Sequence, residues 1–271
     1  MANSLLLLVV AILSERYHYG VSLVSEKDKL RHEVIQHLST GPMAFSQIQR
    51  LVEDSDADTM LQEPLKEVGN LTQSKKDPSK KVFELKPEYK KYHNLFYYFY
   101  RKDQRSHAVI HQKELSKKDE VDWCSRPGVT PDLTETFKGI TNLSSCVPMT
   151  AIIESLFNKV KKAKNEDEVE ALTEHLQKVL FIIIIGCEDD KKAGKAKFVS
   201  VAHQCNFYGQ LKEMTPPSEL KPLVRLTMEI LESTTSSLLN VSTENRYGLV
   251  NQFLCRFFQG SLKGEAPKTV L

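Results

Sequence analysis

The fold is decided by residues 25–85, SEKDKLRHEVIQHLSTGPMAFSQIQRLVEDSDADTMLQEPLKEVGNLTQSKKDPSKKVFEL, where each short element carries its own punctuation. Ser25-Glu26-Lys27-Asp28 has the form of a capping box, with Asp replacing the usual Glu or Gln at the third helical position. Leu30, Val34, Ile35 and Leu38 then fall on one helical face, and Gly41-Pro42 ends that helix. Extended residues Met43 to Phe45 lead to Ser46-Gln47-Ile48-Gln49, read as a second capping box opening a helix that carries Ile48, Leu51 and Val52. The acidic turn residues Glu53 to Asp58 close it. Proline suits only the first turn of a helix, so a third helix starts near Pro64, with Leu65 and Val68 facing inward and Gly69-Asn70 as its stop. Leu71-Thr72-Gln73 and Val82-Phe83-Glu84-Leu85, parted by the polar turn Ser74 to Ser79, read as two short strands. Three short helices and then a hairpin is the order of a winged-helix module, a helix-turn-helix variant with a β wing.

Downstream, Lys86-Pro87 breaks the pattern, and Glu88 to Lys118 reads as one long helix with an aromatic block, Phe96-Tyr97-Tyr98-Phe99-Tyr100, and a charged distal half. Ser125 to Pro131 has linker composition. Helical periodicity returns over Thr150–Val160, Glu166–Ile185, Phe198–Met214, Ser218–Leu239 and Thr243–Gln259. The run Phe181 to Ile185 has strand propensity, yet it continues the helical face Val169, Leu172, Leu176, Val179, Leu180 and is expected to be a core helix. Upstream, the nine apolar residues Leu5 to Leu13 continue into Ser14-Glu15-Arg16, as a helix of a larger core would. The expected fold class is therefore mainly α: a winged-helix domain (three helices plus a β wing) followed by an α-helical scaffold or bundle. Its segments are a core helix in 1–22, the winged helix in 23–88, a long basic and aromatic helix in 89–120, a linker in 121–147, a helical scaffold in 148–260 and a tail in 261–271.

Composition supports a folded chain without a membrane span: of 271 residues 41% are hydrophobic and 27% charged, and no apolar run approaches the eighteen or so residues that a span needs. Net charge is +2, but residues 75–118 hold thirteen Lys/Arg against five Asp/Glu, which points to a local basic face. Five cysteines, Cys124, Cys146, Cys187, Cys205 and Cys255, are odd in number and contain no C-x-x-C. They fit reduced thiols and a cytoplasmic location, extending to the nucleus, better than a disulfide framework. Asn70-Leu71-Thr72, Asn142-Leu143-Ser144 and Asn240-Val241-Ser242 have the form of glycosylation acceptors. The Leu5–Leu13 run nevertheless lacks the basic residues before it and the cleavage site after it that a secretory leader carries.

Nothing in the chain spells out a reactive centre. His107 and His111 share a helix face but lack the H-E-x-x-H glutamate and a nearby cysteine, and His203 and Cys205 point apart on a helix. G-x-S-x-G, P-loop and dinucleotide fingerprints are all missing, and Gly194-Lys195 lacks the neighbours of a phosphate cradle. Glu166-Asp167-Glu168 and Glu188-Asp189-Asp190 sit among lysines at helix ends and read as solvated faces. No catalytic, cofactor-binding or metal-binding residue is assigned, and the isolated chain is expected to catalyse nothing. A winged helix raises nucleic acid as a partner, through the wing lysines Lys75, Lys76, Lys80 and Lys81. The candidate recognition helix argues against it, because its one base, Lys66, stands between Glu63 and Glu67. Stacking of bases on Tyr97, Tyr98 or Tyr100 is weighed against the commoner role of aromatics that seal a helix onto its domain.

Several of these segments resemble one family. Glu15-Arg16-Tyr17, His37 to Ser46, Val82 to Tyr89 and Asn94 to Phe99 look like the central region of the N-recognins, the UBR-box and RING E3 ubiquitin ligases of the N-degron pathway. Glu174 to Leu180 is similar to a helix further along the same family. The resemblance implies a winged helix and scaffold inside a ligase that selects proteins by their N-terminal residue and passes ubiquitin from a bound conjugating enzyme. Partners implied are the ligase's other domains, the conjugating enzyme and N-degron substrates, with no membrane. The family's zinc lies in its UBR box and RING, whose dense Cys/His ladders five scattered cysteines cannot supply, so none of their residues carries over and the chain is expected to be a fragment or truncated relative. A stand-alone nucleic-acid binder is the alternative.

Overall fold

A computed structural model describes residues 2–52, 60–75, 77–119 and 126–239. The expected helix Thr243–Gln259, the tail, the acidic turn from Glu53, Lys76, Cys124 and Cys255 lie outside the described residues. Helix α1 (Ala2–Ser14) precedes a winged-helix unit of α2 (Glu26–Ser39), α3 (Phe45–Leu51), α4 (Gln62–Val68), β1 (Gly69–Gln73) and β2 (Lys81–Leu85). A 3₁₀ turn (Pro87–Tyr92) and α5 (Lys102–Asp119) follow. The helical half comprises a 3₁₀ turn (Glu135–Thr141), α6 (Asn142–Ser145), α7 (Val147–Lys162), α8 (Glu166–Ala171), α9 (Thr173–Ala193), α10 (Lys197–Gln204), α11 (Phe207–Glu213) and α12 (Lys221–Leu239).

The winged-helix unit follows its local signals closely. The Ser25 hydroxyl accepts from the Asp28 amide at 3.2 Å, and the Asp28 carboxylate accepts from the Ser25 amide at 3.0 Å, so both partners of the box are in place. After α2, Gly41 takes φ +138, a conformation that side-chain-bearing residues rarely adopt, and this reverses the chain. Met43 then bridges Phe83 of β2, adding a third short strand position beside the antiparallel hairpin whose register runs from Gly69↔Leu85 to Gln73↔Lys81. One expectation shifts: α3 begins at Phe45, with Ala44 as its N-cap. The Gln47 side chain accepts from the Ala44 amide at 2.9 Å, so the second box has only its Gln half and Ser46 lies inside the first turn. Leu30, Val34, Leu38, Ile48, Leu61, Leu65, Val68 and Leu85 form the core of this unit.

In the helical half, α9 is the axis. It packs against α12, α1, α10 and α7, so Phe181 to Ile185 are 0–1% exposed on every side of the helix. Burial on all faces explains the uninterrupted apolar run: β-branched residues cost little helix propensity compared with what their burial returns. Gly186 lets Phe198 of α10 lie on α9, since a Cβ there would sit 2.7 Å from the Phe198 ring. The stretch 135–162 is long and apolar enough by composition to cross a bilayer. However, Cys146 is extended (φ −72, ψ 150) between α6 and α7, and Ile153, Phe157 and Val160 of α7 are buried in the core.

Four expectations for element shape are corrected. Residues 89–120 are not one helix: the 3₁₀ turn ends at Tyr92, residues 93–101 form irregular turns, and only then does α5 begin. A helix would aim the aromatic block round its whole circumference. The irregular backbone instead sends Leu95 and Phe96 into the scaffold core and buries Tyr97 and Tyr100 in a separate cluster with Ala108. Glu166–Ile185 is broken at Leu172 into α8 and α9, and Phe198–Met214 is broken at Asn206, whose φ of +50 is left-handed. Asn206 tolerates that conformation, and its side-chain oxygen caps α11 by accepting from the Gly209 amide at 3.2 Å. The 121–147 stretch is no free linker over its described part: Pro127, Gly128 and Thr130 are buried, and 135–145 is helical.

Candidate functional site

The chemistry of this chain is concentrated where the winged helix meets the scaffold. α1 ends there, and Ser14 with the residues that follow it, Glu15 to Tyr17, reaches in two directions. Arg16 makes a bidentate ion pair with Asp189 of α9, both bonds 2.7 Å, with the two residues only 2% and 8% exposed. Glu15 faces α2: one carboxylate oxygen lies 3.3 Å from His32 Nε2, and the other accepts from Asn94 Nδ2. Asn94 also donates to the Ser14 hydroxyl at 2.8 Å, and its own amide donates to Gln36 Oε1 at 2.8 Å. Gln36 Nε2 reaches the Tyr92 carbonyl at 2.8 Å, and Tyr100 donates to the Gln36 carbonyl. Tyr17 stacks on His32 at 3.8 Å between ring centroids, and its hydroxyl donates to the Val129 carbonyl at 2.9 Å. A buried polar network is stable only when its members are partnered, and such satisfaction fixes a single geometry.

Titration follows burial here. Desolvation holds the imidazole of His37 down at about 4, partly offset by a hydrogen bond with the Leu51 backbone. It holds His93 down at about 3, helped by the nearby His32 and His111. Both are neutral at pH 7. Burial likewise raises the Tyr100 phenol and the Tyr17 phenol above their ordinary value.

The other sequence candidates are scattered. His107 is exposed, and His111 Nδ1 lies 3.2 Å from the Ser39 carbonyl, where it ties α5 to the end of α2. These two histidines line a groove of about 480 Å³ between α5 and the hairpin, with Val82, Glu84, Ile110 and Glu114. His203 and Cys205 do not converge with other ligand types: among the described residues, no group of three or more His, Cys, Asp or Glu is placed to hold a metal ion. The Cys205 thiol is pushed up to about 11, by burial first and then by Glu154, and burial raises the Cys187 thiol further, so neither is a nucleophile at neutral pH.

The solvated-face reading of Glu188-Asp189-Asp190 is wrong for two of its residues. Asp189 holds Arg16, and Asp190, 6% exposed, accepts from the Val199 amide at 2.9 Å to cap α10. Sequence reasoning missed Asp189 because a buried acid is recognisable only with its partner, and Arg16 lies 173 residues away; the partner of Asp190 is a backbone amide, which carries no sequence signal. Glu166-Asp167-Glu168 do open α8, beside the cap Asn165.

On the winged helix, Glu63 and Glu67 of α4 are committed to Lys27 and Arg31 of α2, at 2.7 and 3.0 Å. Lys86 donates to the Lys66 carbonyl at 3.0 Å at the end of α4. Lys75 and Lys81 are exposed on the wing, whereas Lys80 pairs with Asp77 at 3.0 Å. The positive charge is thus on the wing and not on the helix that would enter a groove.

The fold and junction define a class: a winged-helix module locked to an all-helical scaffold. Residues 29–127 match the family described as E3 ubiquitin-protein ligase UBR1-like, winged-helix domain. The chain is 29% identical over 210 residues to E3 ubiquitin-protein ligase UBR1 of Drosophila melanogaster, covering 76% of the chain. It is 26% identical to human UBR2 and 28% to human UBR1, each over 194 residues and 70% of the chain. It spans 11% of the length of each of these relatives. Residues 29–127 therefore match the UBR1-like winged-helix domain, and over 70–76% of its length the chain is similar to a segment of the UBR1 and UBR2 ligases. The zinc that the family resemblance implies has no fitting ligand set among the described residues.

Proposed function

We propose that the chain is a non-catalytic scaffold segment of an N-recognin-type E3 ligase, one that recognises N-degron substrates and promotes their ubiquitination for degradation. In this reading its partners are the ligase's other domains, and through them a conjugating enzyme and degron substrates, in the cytoplasm and nucleus. The observation that carries it is the junction: Arg16–Asp189 and the Glu15–Asn94–Gln36 network join two cores into one body, as a spacer between distant sites requires. Partnered carboxylates on α4 favour protein contact over phosphate contact on that helix.

A ubiquitin-transfer assay tests it. With activating enzyme, conjugating enzyme and an N-degron peptide fusion, the chain alone should leave discharge at the ligase-free rate, while a pulldown should recover separately expressed domains of a UBR-type ligase. Transfer by the chain alone would refute the non-catalytic role. Salt-sensitive DNA binding abolished by changing Lys75, Lys76, Lys80 and Lys81 to Glu would favour the nucleic-acid alternative instead.

A further inference from the structure

The hairpin has one covered edge and one bare edge. Phe83 of β2 spends its N–H and C=O on Met43, at 2.8 and 3.0 Å, so Leu71↔Phe83 is a non-hydrogen-bonded pair of the ladder. The bonds at the two ends of the hairpin have the same phase: Val68 accepts from the Lys86 amide and the Ser74 amide donates to Lys80, both at 2.9 Å. Even-numbered residues of β1 therefore bond β2, and the N–H and C=O of Leu71 and Gln73 point away from it. Among the described residues, neither makes a backbone bond on that side. Gly69, the other odd position, gives its N–H to the Leu65 carbonyl of α4. Sheet edges that meet water are commonly blunted by lysine, proline, a bulge or an inward charge. Gly69–Gln73 has none of these, and at its centre Leu71 is 55% exposed.

We propose that this edge takes an extended peptide segment of a protein partner, with a carboxylate side chain at the end that meets the wing turn. The backbone fixes the conformation, because an added strand presents N–H and C=O groups at the spacing of Leu71 and Gln73, about 7 Å. Its side chains alternate between the two faces of the hairpin. One set lies beside Leu71. The other enters the groove of about 480 Å³ between the hairpin and α5, where Thr72, Val82 and the exposed Ile110 offer apolar contact. Charge sets the direction. Lys80 is paired with Asp77, and exposed Lys75 and Lys81 stand at the wing end, Lys75 on the groove side and Lys81 opposite Gln73. Glu84 lies at the other end, opposite Asn70, and would repel a carboxylate there; Glu114, His107 and His111 of α5 are the remaining ionisable groups lining the groove. Area decides against a second copy of the chain: an edge with two outward-facing residues falls well short of the roughly 800 Å² per partner that a stable interface buries.

The test uses the full chain. Phage-displayed random heptapeptides are selected on it and the enriched peptides are remade with a fluorophore for polarisation titrations. They should alternate β-branched or apolar residues and carry Asp or Glu at one end. Leu71→Pro deletes the outward N–H and no ladder bond, as proline on an edge strand can, and should weaken binding roughly twofold to tenfold, the value of one backbone bond. N-methylation of alternate peptide amides should weaken binding to the unaltered protein as much, a measure that does not depend on how the variant folds. Lys75→Glu with Lys81→Glu should weaken binding several-fold at low salt and little at high salt. Failure to enrich any peptide would overturn the proposal, as would enriched peptides that are indifferent to both Leu71→Pro and methylation. So would self-association that Leu71→Pro abolishes, which assigns the edge to a second copy. Displacement of the peptide by a short DNA duplex whose binding needs the two lysines but not the Leu71 amide would assign the wing to nucleic acid instead.

Discussion

Replacing Asp189 with alanine should be the most damaging single change at the junction. The Arg16 guanidinium donates two bonds of 2.7 Å to that carboxylate and is 2% exposed, so removing the acid leaves a desolvated cation. Stranding one member of a buried ion pair costs about 3–5 kcal/mol. Total stability for a chain of this kind is about 5–15 kcal/mol, so the loss is a large fraction of it. The double change Arg16→Met with Asp189→Leu removes both charges and should recover most of the loss, because an apolar pair of similar volume is often neutral or better. Urea denaturation followed by circular dichroism measures this. Asp189→Ala should move the midpoint down at an unchanged slope, and the double variant should return it towards the parent. A loss under about 1 kcal/mol for Asp189→Ala, the value of a solvated surface pair, would refute a buried junction between α1 and α9.

The remaining predictions concern local packing, capping and pH. Gly186→Ala forces a Cβ to within 2.7 Å of the Phe198 ring and should cost about 1–3 kcal/mol in the same urea assay, whereas Gly139→Ala, with open space around it, should not. Ala44→Ser installs the missing hydroxyl cap on α3 and should raise stability by about 0.5–2 kcal/mol, which thermal melting would detect. His37 is held at about 4 when folded and returns to 6.5 when unfolded, so between those values the unfolded chain binds the extra proton. Stability should therefore fall as pH drops from 6.5 to 4, by about 3 kcal/mol from this residue, with His93 extending the loss towards pH 3. Urea midpoints between pH 7 and pH 4 check the sign, and a His37→Gln variant should show a flatter profile.

Much of the winged helix was legible because its signals are local. A capping box at Ser25, a glycine at 41, a proline in the first turn of α4 and alternation in β2 each act within a few residues, and each appears at the expected place. The Ala44 start of α3 shows the limit of such reading. Ser46 has the better capping side chain, but the Met43–Phe83 bridge sets where the extended chain ends and the helix begins. Likewise the aromatic block has helical neighbours on both sides, and only the demand of separate hydrophobic clusters for its side chains explains its irregular backbone.

What the amino-acid sequence determined by itself was the element inventory of residues 25–85, the helical character of the second half and the resemblance to the UBR-type ligases, since caps, turns and periodicity are written in neighbouring residues. Tertiary structure alone decided that α1 belongs to the core of the second half, that Asp189 and Asp190 are buried, and that Glu15, Gln36, Asn94 and Tyr100 form one network. The physical reason is distance along the chain. A polar or charged group is tolerable in an interior only when a partner meets it; Asp190 meets the Val199 amide nine residues on, but the junction's partners come together from sequence separations of 58 to 173 residues.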